Sequence, residues 1–458
     1  MSGRCGCREF TRAELARRSL AEAGKGLPAI EPGMPAPAGT GLTRRSLLVR
    51  GGALALSVYG ASLLRPRALL EGIAEAAGSQ GRVLVSVFLE GGIDSLSVLA
   101  PVADDTYRRM RPALRLAPGD GPTWTEDPRL QWHPAAAPLH QLHGEGKVTV
   151  FPAIGYSNAD QSHFTSRHYW EVGELSVRAN TGWLGRLLDV VGSNDNPLQG
   201  LSLDGSLSPS LATARVPVAA TWGPRYDLWA PGVWGEVEDL MFETFSRLGV
   251  TAEGSRDKQL SGAGRVVRQA GTLRSQLQAF SGEIDSPVAY PDDEHFSESL
   301  AGLAAMLDAG MPITVASVGA PGAYDTHDEQ ASTLGQDLAQ TCATLLAFQR
   351  DLEARGLDDR VLTMVWSEFG RRPEENGEGS SAGTDHGAGG CAFLIGTPAR
   401  GTMVGEWPGL GTLDEDDNLR STSDFRAAYC SLLEQWFGVD ADAVIPGAGG
   451  FARPALIG

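Results

Sequence analysis

From residue 82 onward, short β-branched apolar runs alternate with longer stretches whose apolar residues recur at helical spacing. The first run, Arg82 to Leu89 (RVLVSVFL), ends at Glu90-Gly91-Gly92, the pattern of a strand buried on both faces that enters a glycine loop. Similar runs recur at Lys147 to Ile154, Pro312 to Gly319, Arg360 to Trp366 and Cys391 to Gly396. Helical spacing fills Glu236 to Leu248, Asp257 to Phe280, Glu294 to Ala309, Gln330 to Arg355 and Asp424 to Phe437. Strands alternating with long helices predict an α/β fold with a mostly parallel central sheet and helices on both faces. Function in such sheets sits in the loops at the carboxyl ends of the strands, and that rule selects which polar residues matter.

Upstream the pattern changes. Thr43-Arg44-Arg45-Ser46-Leu47-Leu48 stands just before Gly51 to Leu64, fourteen residues without a charge. That segment is too short for a hydrocarbon core, which needs roughly 20 apolar residues. It reads as the core of a twin-arginine signal peptide, closed by Arg65 and Arg67, with small residues around Ala74-Glu75-Ala76 for cleavage. The expectation is a leader over residues 1–76, export of the folded chain by the twin-arginine translocase to the periplasm or beyond, no stable membrane span, and one α/β domain over 77–458.

Charge narrows the partners. Without residues 1–76 the chain keeps 27 basic and 50 acidic residues, a net charge of −23. Nucleic acid and anionic membrane surfaces are disfavoured, because phosphate binding needs a positive footprint. An anionic substrate would need a local metal or arginine cluster. Cys342, Cys391 and Cys430 are widely spaced; they read as buried small hydrophobes, with a single disulfide as the alternative.

Three predicted strand ends and one loop deliver acidic or imidazole groups. The first strand leads to Asp94 in Gly91-Gly92-Ile93-Asp94-Ser95, the run at 312–319 to Tyr324-Asp325-Thr326-His327, and the run at 360–366 to Ser367-Glu368-Phe369-Gly370-Arg371-Arg372. A Gly/Ser-rich loop then supplies Thr384-Asp385-His386-Gly387 before the Cys391 strand. Carboxylate and imidazole at converging strand ends suit one or two divalent cations such as Zn, Mn, Ca or Mg. Each motif also has a plain structural reading: Asp94 as a helix cap, Asp325 and His327 as a turn pair, Glu368 with Arg371 and Arg372 as a solvated ion-pair cluster, and Asp385-His386 as an exposed loop. A further element, Ser162-His163-Phe164-Thr165-Ser166-Arg167 followed by Trp170 and Gly173, places hydroxyls, an imidazole and a guanidinium at a predicted helix start, where free backbone N–H groups favour an anion. Its plain reading is a capping serine beside a packed histidine.

With the twin-arginine leader, the Gly-Gly-x-Asp at 91–94, Ser162-His163-Phe164 with Trp170, and the ending around Trp436 to Pro446, these motifs make the chain resemble the exported bacterial family called domain of unknown function 1501, within the alkaline-phosphatase-like superfamily. The resemblance runs over essentially all of residues 80–450. It implies an alkaline-phosphatase-like fold and metal ligands arriving in a fixed order. Carried onto this chain, that order is Asp94, the 162–166 segment, Asp325 with His327, Glu368, then His386 with Asp385 nearby. Asp325, His327 and His386 would surround one metal, and Asp94 with Glu368 a second.

Two departures stand out against the superfamily's hydrolases. Counting ten residues back from Gly173, where Ser, Thr or a modified Cys is usual, lands on His163, with Ser162 beside it. Glu368 occupies a place where an Asp-His pair is common. The reading is therefore an exported metal-dependent hydrolase of a phosphate or sulfate ester, with Ser162 and His163 at the helix start, Arg167, Arg371 and Arg372 holding an anionic small-molecule or glycan substrate, and metal at Asp94, Asp325, His327, Glu368, Asp385 and His386. The alternative is a non-catalytic exported binding or assembly protein that keeps the same fold.

Overall fold

The computed structural model describes residues 81–223, 235–280, 282, 284–292 and 295–458; the leader expected over residues 1–76 lies outside them. The described residues hold twelve strands: β1 (Val83–Phe88), β2 (Leu99–Ala100), β3 (Gln131–Trp132), β4 (Val148–Gly155), β5 (Gly200–Ser202), β6 (Ala219–Ala220), β7 (Val315–Gly319), β8 (Val361–Trp366), β9 (Arg371–Asn376), β10 (Gly383–His386), β11 (Gly390–Ile395) and β12 (Ser423–Asp424). Eight of them form one sheet in the order β12-β4-β11-β8-β1-β7-β5-β6. β1 lies at its centre, paired in parallel with β7 and β8, and β11 alone runs against its neighbours β4 and β8.

The α/β class and mostly parallel sheet are those the hydrophobic pattern predicts. The reason is visible in β1, every residue of which is buried. Val83, Val85 and Val87 enter one core together with the helices Phe296–Asp308 and Gln330–Ala354. Leu84 and Phe88 enter a second core on the opposite face, with the helices Trp183–Val191 and Phe425–Ser431. A strand whose two faces are both covered cannot show polar alternation, so it reads as an unbroken apolar run. The C-terminal helix departs from expectation: it is α-helical over Phe425–Ser431 and continues as a wider π turn over Leu432–Trp436.

Thr384, Asp385 and His386, expected in a Gly/Ser-rich loop, lie instead on an antiparallel hairpin of β9 and β10, with a bulge between Thr384 and His386. The bulge matters chemically, because in an unbroken strand Asp385 and His386 would face opposite sides. Cys342, Cys391 and Cys430 are free and buried. No helix among the described residues is long and apolar enough to cross a membrane.

Candidate metal centre

The loops after β1, β7 and β8 and the hairpin meet at the carboxyl end of the central strands. The β1 loop and the loop carrying Asp325 touch so closely that a Cβ on Gly91 (φ +120°) would sit 2.2 Å from the Asp325 backbone nitrogen. Only glycine takes both that backbone angle and that contact. Arg371, with its side chain fully buried, locks the junction. Its guanidinium donates to the carbonyls of Gly91, Gly92 (3.0 Å), Tyr324 (3.1 Å) and Thr384 (2.8 Å), and to Asp325 Oδ1 at 2.5 Å. Its donors are spent on this junction, so it acts on Asp325 and not on a substrate.

Around Asp325 stand three imidazoles. His163 Nε2 lies 3.5 Å from Asp325 Oδ2, while His327 Nε2 and His386 Nε2 lie 3.0 and 3.2 Å from Oδ1. His163 is the first residue of the helix His163–Val172, which Ser162 starts without a hydroxyl cap bond and Gly173 ends in the left-handed conformation. The rings of His163 and His386 are 4.3 Å apart, and the Phe369 ring lies 4.9 and 4.8 Å from them.

What each imidazole offers the centre follows from its other nitrogen. His163 Nδ1 lies 2.8 Å from Glu368 Oε1, His386 Nδ1 2.8 Å from the Gln161 carbonyl, and His327 Nδ1 3.1 Å from Asp385 Oδ1. All of these partners can only accept, so each ring keeps a proton on Nδ1; Nε2 faces Asp325, where it carries a second proton when the ring is charged and would offer a lone pair to a cation when the ring is neutral. Two contacts fit a cation here. His327 Nε2 and His386 Nε2 lie 3.0 Å apart, an approach relieved by a proton shared between the rings or by a cation between them. His163 Nε2 is buried and makes no hydrogen bond. His163, Asp325 and His386 can each place one donor atom within 4.8 Å of the others, the neutral-imidazole and carboxylate set that zinc-like ions take.

Protonation reflects the same crowding. Burial alone would lower the His163 pKa, but the carboxylates of Asp325 and Glu368 outweigh it and raise it to about 9. Burial likewise works to raise the Asp325 carboxyl, yet the surrounding imidazoles and Arg371 hold it far below the usual carboxylate range. His327 is raised first by its hydrogen bond to Asp325.

Glu368 is fully buried behind His163 and accepts the Gly91 N–H at 3.0 Å, so it orients a ring and faces no solvent. This differs from the solvated ion-pair reading and from a ligand shared with Asp94. Asp94 stands apart in a buried network. It caps the short helix Ser95–Val98 through Leu96 N, accepts Ser97 Oγ at 2.6 Å, and is clamped by Arg111, whose Nη2 is 3.0 Å away. Both partners of that ion pair are buried, and Arg111 pins it to the carbonyls of Arg372 and Pro373, each at 2.8 Å. With its oxygens so engaged, Asp94 is a structural anion here. Arg167 is shared between Glu171 at 2.9 Å and Glu90 at 3.5 Å, and lies 4.4 Å over the Phe88 ring. Its charge is largely answered within the protein. Arg111 and the Gln161 carbonyl carry no motif signal, and Phe369 stands inside a motif without a role of its own there; their neighbours in space give them their parts.

Residues 254–452 match the sequence model of the family described as "Protein of unknown function (DUF1501)", which bears out the resemblance over that stretch. Among solved structures the chain is similar to the PsFucS1 sulfatase from Pseudoalteromonas sp. (13% identity, 88% of this chain and 77% of that one, TM-score 0.34). It is also similar to the phosphonate monoester hydrolase SpPMH from Silicibacter pomeroyi (13%, 81% and 76%, TM-score 0.35) and to a protein in the alkaline phosphatase superfamily from Vibrio parahaemolyticus (11%, 87% and 76%, TM-score 0.30). Likeness at this level carries no argument about activity. No curated protein matches the chain.

Proposed function

Taking the match of residues 254–452 to that family of unknown function as premise, we propose that the chain is an exported, metal-dependent hydrolase of phosphate or sulfate esters. The observation that carries the reading is the inward convergence of the His163, His327 and His386 Nε2 atoms on the Asp325 carboxylate, each ring held by an acceptor behind it.

His163, Asp325 and His386 would hold the ion, and a divalent cation there would supply Lewis acidity toward an ester oxygen and make an attacking water more acidic. The remaining work falls to the chain's own groups. Glu368 keeps the His163 proton on Nδ1, and Arg371 keeps Asp325 ionised and aimed. His327 is the most exposed of the three rings, with 43% of its side chain accessible against 30% for His163 and 23% for His386. Backed by Asp385 and raised in pKa by Asp325, its doubly protonated form is the one placed to pass a proton to a leaving oxygen at the mouth of the site. The helix that begins at His163 brings unpaired backbone N–H groups to the same place, where an anionic ester is favoured. With His163 Nε2 given to the cation, that ring has no free nitrogen for covalent attack, and attack would fall to water.

The test uses the chain purified without its leader and loaded in turn with Zn, Mn, Mg and Ca, assayed on aryl phosphate, phosphodiester and aryl sulfate. Turnover should disappear on chelation and in His386→Ala and Asp325→Asn. A protein that binds the cation yet turns over none of these esters would favour the binding-protein reading. Export is tested by replacing Arg44 and Arg45 with lysine in the producing cell. Processed protein should then no longer appear outside the cytoplasm.

A further inference from the structure

Buried beside the candidate centre is a side-chain amide that the proposed chemistry does not use. Gln330 opens the helix Gln330–Ala354 and is 1% exposed. Its Nε2 donates to Asp94 Oδ2 and to Ser97 Oγ (3.2 Å). Its Oε1 accepts the hydroxyls of Thr326 (3.0 Å) and Thr384 (2.6 Å). An amide has two N–H donors and two oxygen lone pairs, so all four positions are filled.

The identity of the partners gives this arrangement its meaning. Thr326 lies between Asp325 and His327, and Thr384 directly precedes Asp385 and His386. The two hydroxyls that meet on one oxygen therefore belong to the two segments that must bring imidazole and carboxylate together. Backbone bonds set which residues face each other, Thr384 N to the Thr326 carbonyl and Gln330 N to the Ala382 carbonyl, both at 3.0 Å. The side chain adds direction. An amide can turn end for end with little change of shape, but the ionised Asp94, itself clamped by Arg111, demands the NH2 end. The carbonyl end must then face the threonines.

From this geometry we infer that Gln330, oriented by the Asp94–Arg111 ion pair, is a positioning residue that sets the separation of the two ligand-bearing segments and thereby the cation affinity of the centre. The inference rests on the metal-centre reading. It also assigns Asp94 a part in the site that acts through Gln330 and not through a bond to metal. Outer groups that orient ligands typically change metal affinity 10–100-fold when removed.

The experiment is titration of the cation-free chain with Co2+ against a chromophoric chelator, together with the visible absorption spectrum of the bound ion. Thr326→Val and Thr384→Val each delete one hydroxyl at nearly constant volume, so they avoid the larger disruption of Gln330→Leu. Both should bind Co2+ about 10–100-fold more weakly than the unaltered chain, with shifted absorption bands. Thr384→Ser, which restores the hydroxyl, should recover both. Thr344→Val is the control, since it breaks a buried bond to Ser297 (3.0 Å) farther along the Gln330–Ala354 helix, where it packs on Phe296–Asp308; it should lower melting temperature and leave Co2+ affinity and spectrum alone. If the unaltered chain binds Co2+ and the Thr326 and Thr384 variants match it in affinity and spectrum, the positioning role is overturned and the metal centre stands. If the unaltered chain binds no Co2+, the metal-centre reading itself fails.

Discussion

His163 Nδ1 and Glu368 Oε1 lie 2.8 Å apart although 205 residues separate them in the chain, and this contact decides which nitrogen of His163 faces Asp325. Glu368→Ala tests it. The Oε1 that meets His163 Nδ1 also accepts the Gly91 N–H at 3.0 Å, so removing the carboxylate leaves Nδ1 without its acceptor. The ring proton is then free to move to Nε2, where it blocks the lone pair that would face a cation. Metal affinity should fall about 10–100-fold, read by competition with a chelator. An unchanged affinity would mean that the contact does not set the tautomer.

Replacing Asp94 separates a structural anion from a ligand. Asp94→Ala strips Arg111 of its partner in a fully buried pair, and breaking such a pair costs about 3–5 kcal/mol. Denaturant unfolding should show that loss. In the milder Asp94→Asn the number of ions bound at saturation should stay the same. A drop from two ions to one would restore Asp94 as a metal ligand.

Gly91→Ala should lower both stability and metal affinity. The added carbon would meet the Asp325 backbone nitrogen at 2.2 Å, and the φ of +120° is strained for any other residue. Since Asp325 sits at the contact, the cost should appear as weaker cation binding as well as a lower melting temperature. Unaltered binding would show that the Asp325 loop can yield without moving its carboxylate.

A pH effect is expected far from the centre. Trp124 Nε1–H donates to His143 Nε2 at 2.7 Å, which requires an unprotonated ring nitrogen. Burial lowers the His143 pKa from 6.5 to about 4. Between these values the unfolded chain binds a proton that the folded chain refuses, so stability rises with pH through the window and is lost as pH falls from 6.5 toward 4. The full effect is on the order of 3 kcal/mol for one such group. His143→Gln keeps an acceptor for Trp124 and should flatten this part of the curve; a curve unchanged by the substitution would show that other groups carry it.

The hydrophobic pattern alone determined the α/β class and the places of β1, β4, β7, β8 and β11, because strands covered on both faces must be apolar throughout and burial is written residue by residue. It missed the short β5 and β6, whose three and two residues are too few for any period to show. The motif residues Asp325, His327, Glu368, Asp385 and His386 were also legible, since carboxylates and imidazoles at strand ends stand out against their surroundings. Their roles were not. Asp94 and Glu368 looked alike in sequence, yet Arg111 makes one a structural anion and His163 makes the other an orienting base. Arg371 looked free to bind an anion until four carbonyls and a carboxylate closed over it. Gln330 gave no signal at all. A polar side chain's role depends on the partners that reach it, and those partners come from segments up to 354 positions away, as with Arg82 Nη1 on the Trp436 carbonyl. Sequence determines which chemical groups a strand end can present. Only the tertiary structure decides which of them are already engaged with the protein and which remain to meet a ligand.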